Sequence, residues 1–128
     1  RRMAERELAR LAEAAESARP LRAIWDISLH STDSRLIAEF MALANRIDGL
    51  QREVIRFIEQ ARTLEVAVLD RALARKPQAG RLGAAGLAVT ITSLALLLSR
   101  ENQLGVDAGH AEVLGALAAF FDEIEPVA

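Results

Sequence analysis

Apolar residues recur along this chain at spacings of three and four, which is the pattern of helices that bury one face. The first two segments of the chain are both predicted to be helices. The second begins at Pro20, because proline suits the first turn of a helix. In the first segment the apolar positions are Ala4, Leu8, Leu11, Ala15 and Ala18, and in the second Leu21, Ile24, Trp25 and Ser28 share a face. The first forty residues therefore predict two amphipathic helices and the start of a third.

The middle of the chain predicts two further helices. The first has Thr32 or Asp33 as its N-cap and is apolar around most of its circumference, so we expect a short, well-buried connector. The second runs from about Asp48 to Arg75 and carries two apolar faces, which indicates a central helix with neighbours on both sides. Residues 76–80, which read KPQAG, are predicted to break it.

The stretch from Leu82 to Ser99 contains no charged side chain. As a helix it would be about 27 Å long, close to the roughly 30 Å hydrocarbon core of a bilayer. Its residue types are sorted, however, with Ala84, Ala88, Thr92, Ala95 and Ser99 on one stripe and Leu87, Ile91, Leu94 and Leu98 on the next. Because every other helix has an apolar face that needs a partner, we interpret this segment as a buried core or interface helix. A membrane span is the alternative.

The last helix is expected after Gly105, a C-terminal helix signal, with Asp107 as its N-cap. Its apolar side holds His110, Val113, Leu114, Leu117, Phe121 and Ile124. The chain shows neither an internal repeat nor the alternating pattern of strands. We therefore predict one all-α domain of about six helices over residues 1–128.

Composition narrows the classes of function. The net charge is −2, with 16 basic and 18 acidic residues. This balance argues against binding of nucleic acid or of an anionic membrane by this segment. There is no cysteine, and neither His30 nor His110 has a second ligand at metal-binding spacing. No arrangement typical of a catalytic site is found. We expect neither an enzyme nor a bound cofactor or metal.

A ligand-binding cavity between helices is the more promising site. Ligand pockets are mostly apolar with a few placed polar groups. The chain supplies large side chains on three successive helices and hydroxyls in its most apolar helix, namely Trp25, Phe40, Met41, Phe57, Thr90 and Ser93. Simple core packing by the same residues is the alternative.

The order of elements resembles the C-terminal domain of TetR-family transcriptional regulators. The resemblance lies in a proline-started helix RPLRAIWDISLHS, a short helix DSRLIAEFMALANR, one long helix, an uncharged helix and the final helix HAEVLGALAAFFDEIEP. It implies a cytoplasmic regulator, a repressor, that binds a small effector of apolar or mixed polarity. It also implies a homodimer and no membrane partner. DNA binding would belong to an N-terminal helix-turn-helix domain that this sequence lacks.

The resemblance also implies where the homodimer forms. The last two helices of each copy would make a four-helix bundle, with small residues allowing close approach and larger ones supplying apolar area. The interface residues would be Ala84, Ala88, Thr92, Ala95, Leu114, Leu117 and Phe121. Two other classes of protein remain as alternatives: a helical protein–protein interaction module, and a single-pass membrane protein that uses Leu82–Ser99 as its span.

Overall fold

A computed structural model describes residues 2–30, 32–44, 46–75 and 82–126, and within residues 32–38 it describes only the side chain of Leu36. The described residues contain six helices and no strand, which confirms the all-α prediction. In chain order the helices are α1 (Arg2–Ala15), α2 (Pro20–His30), α3 (Thr32–Leu43), α4 (Asp48–Arg75), α5 (Ala84–Leu104) and α6 (His110–Ile124).

The long helix α4 is the centre of the fold, as the sequence predicts. It packs against all five other helices and most extensively against α5, while α2 lies against both α1 and α5. Its buried stripe is Ala61, Glu65, Val68, Leu69 and Ala72. The core is built mainly from aliphatic side chains, with Trp25 and Phe121 as its two buried aromatic residues.

Helix α5 turns its small residues inward. Ala88 and Ala95 are 0% and 1% exposed, and they lie on one stripe with Ala84, Ile91 and Leu98. Alanine at these positions leaves room for neighbouring backbones to approach closely. The opposite side of α5 carries Val89 and Leu97, which are about half exposed at 45% and 54%.

The start of α2 is capped by a residue from the far end of the chain. Glu125 is 3% exposed, and its carboxylate accepts hydrogen bonds from the backbone N–H of Leu21 at 2.6 Å and of Arg22 at 3.2 Å. These N–H groups lie in the first helical turn, where no intrahelical acceptor exists. Arg19 adds a bond from its Nε to the Glu125 carbonyl oxygen at 3.1 Å and pairs with Asp122. The C-terminus thus closes the α1–α2 turn.

The turn between α5 and α6 differs from the prediction at one end. Gly105 ends α5 in the left-handed region at φ 79°, and the Val106 N–H donates to the Glu101 carbonyl, as expected of a glycine stop. The residue that precedes α6 is Gly109, however, with φ 83° and no side-chain cap. The prediction of Asp107 as the N-cap of α6 is therefore wrong. Asp107 lies two residues before Gly109, and its backbone carbonyl accepts a hydrogen bond from the His110 N–H.

Helix α3 is less buried than its apolar sequence predicts. Leu36, Phe40 and Leu43 are 36%, 39% and 46% exposed, so they form an open apolar surface rather than a buried connector. The reason is positional: α3 packs on α1 and α4 at the edge of the core, and no helix covers its outer side in the described part of the chain. The predicted cap at Thr32 or Asp33 and the break at 76–80 lie outside the described residues and side chains.

Candidate ligand-binding cleft

A cleft of about 280 Å³ opens between α1, α3, α4 and α5, with one contribution from α2. This volume lies just below the roughly 300 Å³ at which small-molecule sites usually begin, so a small ligand is the appropriate size. The cleft is lined by Glu7, Leu11, Ser28, Met41, Phe57, Ile58, Ala61, Arg62, Glu65, Thr92, Ser93, Ala95 and Leu96.

One wall of the cleft is apolar. Phe57 and Ile58 come from α4, Met41 from α3 and Leu96 from α5. The deeper positions are alanines, Ala61 at 8% and Ala95 at 1% exposure, and their small size creates the hollow. Since α4 and α5 are the most extensively packed pair in the fold, this wall is held by rigid elements.

The other wall brings ionisable groups into the interior. Glu65 is 8% exposed, and its Oε2 accepts a hydrogen bond from the Thr92 hydroxyl at 2.9 Å. Glu7 is 2% exposed and lies 3.6 Å from the Arg10 guanidinium. Arg62 lies one helical turn before Glu65, and its Nε is buried without a hydrogen-bond partner. The cleft therefore combines an apolar wall with two carboxyls and one guanidinium.

Burial raises the pKa of the Glu65 carboxyl above its usual value, although the Thr92 hydrogen bond and the positive charge of Arg62 oppose that rise. Removing water from around the carboxylate disfavours its charged form. The folded chain therefore holds this proton more tightly than the unfolded chain does.

The raised pKa predicts how Glu65→Gln changes stability with pH. A raised pKa gives stability that is full below the unfolded pKa and is lost as the pH rises through the folded pKa. Glutamine can still accept from Thr92 but cannot ionise. We expect the Tm of the variant to exceed that of the native protein by an amount that grows as the pH rises above the unfolded pKa of a glutamate, about 4.3. Glu59→Gln, an exposed change on the same helix, is the control, and a gain for Glu65→Gln that does not vary with pH would contradict the assignment.

Three of the six side chains predicted to bind ligand line this cleft, namely Met41, Phe57 and Ser93. Phe40 lies beside it, lining a smaller pocket of about 90 Å³ that shares Phe57. The other two predicted residues lie elsewhere. Trp25 packs against Phe121 with ring centroids 6.1 Å apart, and the exposed Thr90 donates its hydroxyl hydrogen to the Gly86 carbonyl. These two positions do not contribute to the cleft because they face away from it.

The charged residues of the cleft, Glu7, Arg62 and Glu65, were not among the side chains predicted to bind ligand. Glu7 stands one turn before Leu11, on the buried stripe Glu7, Leu11 and Ala14. Glu65 stands one turn after Ala61 on the buried stripe of α4. A charged residue at an apolar position of a helical pattern was the available signal.

The residues predicted for a dimer interface divide into two groups. Ala84, Ala88, Ala95 and Phe121 are buried within one chain, and Thr92 binds Glu65, so these side chains face the chain's own core. Leu114, 39% exposed, and Leu117, half-buried, lie on the part of α6 that is less covered. The small stripe of α5 therefore serves packing inside the chain, and a second copy would meet the opposite face of α5.

Ala88→Leu tests this placement of the small stripe. Ala88 is 0% exposed, so a larger side chain must displace neighbouring atoms, and we expect the free energy of unfolding to fall by about 2 kcal/mol. Ala85→Leu, on the exposed side of the same helix, should change it by less than about 0.5 kcal/mol. Chemical denaturation measures both. If Ala88→Leu left the stability unchanged but changed the oligomeric state, Ala88 would belong to the dimer interface and not to the core.

The two histidines hold no metal site in the described part of the chain. His110 is 7% exposed, and its Nε2 lies 2.9 Å from Oε1 of Glu101. His30 is exposed at the end of α2. Over residues 2–30, 32–44, 46–75 and 82–126, no three side chains from His, Asp or Glu come together as metal ligands would.

The chain matches no protein-family model, no curated protein and no solved structure. Among the described helices, α5 alone is long and apolar enough to cross a membrane, judged by length and composition. Of the residues in its most apolar 18-residue stretch, 22% are buried. Core helices of folded domains can meet the same criterion.

Proposed function

We propose that this chain is the effector-binding and dimerisation part of a TetR-like transcriptional regulator, a repressor whose DNA-binding domain would precede it. The observation that carries the proposal is the cleft between α1, α3, α4 and α5, where an apolar wall of Phe57, Met41 and Leu96 faces a few placed polar groups. This composition is typical of small-molecule sites. The proposed function is regulatory and involves no catalysis.

The surface of α5 supports the dimer part of the proposal. The helix is uncharged as far as Ser99, and its outward face exposes Val89 at 45% and Leu97 at 54%. Helix α6 is also apolar and leaves Leu114 39% exposed. Large apolar side chains that are exposed on a helix face are typical of protein–protein interfaces. A second copy of the chain, packed through α5 and α6, would remove them from water.

The first helix would carry the regulatory signal. Glu7 and Leu11 of α1 form part of the cleft, and in the proposed regulator α1 follows the DNA-binding domain. A ligand that contacts α1 and α4 together favours one position of α1 over others. Regulation then requires different ligand affinities in two positions of α1, since a ligand that binds both equally shifts nothing.

The cleft is tested with a neutral apolar fluorescent probe, N-phenyl-1-naphthylamine. We expect the native protein to bind it saturably, and Phe57→Ala to weaken binding roughly ten-fold, because about 1.4 kcal/mol of aromatic contact is lost. Phe40→Ala is the matched control, since Phe40 lies outside the cleft on the open side of α3, and it should change binding less than about two-fold. Equal weakening by the two variants, or no saturable binding, would contradict the cleft assignment.

A helical interaction module is the second candidate, favoured by a separate observation. Besides Phe40 and Leu43, the α3–α4 side exposes Ile47 at 51% and Ile55 at 49%. These residues form an apolar surface that a partner protein could cover. A gene that encodes no DNA-binding domain ahead of this segment would favour the interaction module over the regulator.

A further inference from the structure

The Nε of Arg62 stands out among the buried polar atoms. In the described part of the chain it is the one buried side-chain nitrogen or oxygen without a hydrogen-bond partner, and Arg62 lines the cleft. A buried N–H donor left without an acceptor costs about 1–3 kcal/mol. An oxygen acceptor that enters the cleft would recover this free energy.

The two carboxyls that line the cleft each have a partner other than Arg62 Nε. Glu7 lies within 3.6 Å of Arg10, which offsets its charge. The Oε2 of Glu65 accepts a hydrogen bond from Thr92, and burial raises the pKa of this carboxyl because it disfavours the charged form. Arg62 attracts the Glu65 carboxylate electrostatically, but its Nε donates to neither carboxyl, so an anionic acceptor could accept this hydrogen bond and also pair with the guanidinium charge. Ser28 and Ser93 also line it and supply hydroxyl donors.

We propose that the effector is a small apolar molecule that ends in a carboxylate, with a carboxylate oxygen accepting a hydrogen bond from Arg62 Nε and the apolar body lying against Phe57, Met41 and Leu96. This rests on the proposed function, because it names the ligand class of the same cleft. Arginine suits the role, since its planar guanidinium matches carboxylate geometry. The cleft volume of about 280 Å³ favours a medium-length chain or a small ring system over a long lipid.

The test compares three ligands that differ only in their head group: octanoate, 1-octanol and octylamine. Each is titrated near neutral pH against the protein carrying N-phenyl-1-naphthylamine. A charge-assisted hydrogen bond contributes about 1.5–3 kcal/mol, so octanoate should bind about 10- to 100-fold more tightly than 1-octanol. Arg62→Gln should remove that preference and leave 1-octanol affinity within about two-fold.

Arg71→Gln is the matched control, because Arg71 is an exposed arginine on the same helix, and it should leave the preference for octanoate intact. Arg62→Lys keeps the charge but loses the guanidinium, so it should retain part of the preference. This second variant also decides the matter if Arg62→Gln does not fold. A thermal melt of each variant establishes that it is folded.

The opposite results overturn the inference separately from the proposed function. Octanoate binding no better than 1-octanol, or octylamine binding best, overturns the carboxylate assignment and leaves the cleft as a ligand site. If the probe binds but none of the three ligands displaces it, the carboxylate assignment is likewise overturned, and the cleft remains a ligand site. Failure of the probe itself to bind overturns the cleft, and with it the effector-binding part of the proposed function.

Discussion

Replacing Phe121 with alanine is expected to lower the free energy of unfolding by about 4 kcal/mol. Phe121 is 1% exposed in the core and packs its ring against Trp25 at 6.1 Å between centroids. It also lies near the end of α6, whose middle is half exposed, so its contacts hold that helix to the rest of the fold. Truncation removes apolar contact and leaves a cavity.

Phe120→Ala is a control of the same chemistry at the next position. Phe120 is only partly buried, so its loss should cost about 1–2 kcal/mol. Chemical denaturation measures both values, and Trp25 fluorescence should shift to longer wavelength in Phe121→Ala alone. Equal costs for the two phenylalanines would show that α6 is not docked through Phe121.

The second large effect is expected for Glu125→Ala, at about 2–3 kcal/mol. The carboxylate accepts from two backbone N–H groups at the start of α2, and both would be left without an acceptor next to a core residue, Leu21. Because the two partners are more than a hundred residues apart in sequence, the loss would also loosen the C-terminus from the α1–α2 turn.

Two further variants separate capping from charge. Glu123→Ala changes an exposed glutamate two residues away and should cost less than about 0.5 kcal/mol. Glu125→Gln keeps one oxygen acceptor and should fall between the native protein and Glu125→Ala. Denaturation curves give all three values, and a cost for Glu125→Ala as small as that for Glu123→Ala would contradict the cap.

Most of the helical layout could be predicted from sequence because it depends on local signals. Pro20 and Gly105 mark helix limits by their own backbone preferences, and the structure places a helix limit at each of them. The N-cap of α6 was mispredicted because two competing signals, Asp107 and Gly109, stand close together. Ala18 was assigned to the first helix, which ends at Ala15, since periodicity alone does not register the approach of Pro20.

The packing partners of each face could not be predicted in the same way. The small residues of α5 suit close approach to any helix, and whether that helix belongs to the same chain or to a second copy is a property of the assembled fold. The exposure of α3 has the same origin, since an apolar helix at the edge of a core has too few neighbours to cover it. The periodicity of apolar residues identifies an apolar helix face, but it does not predict which element or molecule covers that face.

The cleft was partly predictable for a related reason. Met41, Phe57 and Ser93 were identified by size and polarity, which are properties of single residues. The contributions of Glu7, Arg62 and Glu65 depend on where two helices, α1 and α4, bring charged groups together, and mixed charges along a helix usually indicate a solvated face.

The proposed homodimer through α5 and α6 is tested by the molar mass from light scattering after size exclusion in detergent-free buffer, over a range of concentrations. The native chain should give twice the 13.9 kDa of one chain. Glutamate at both Val89 and Leu97 should give one chain, whereas Leu43→Glu, on the exposed side of α3, should leave the dimer intact. A native monomer at all concentrations would contradict the claim, and aggregation relieved only by detergent would contradict it in favour of a membrane span at α5.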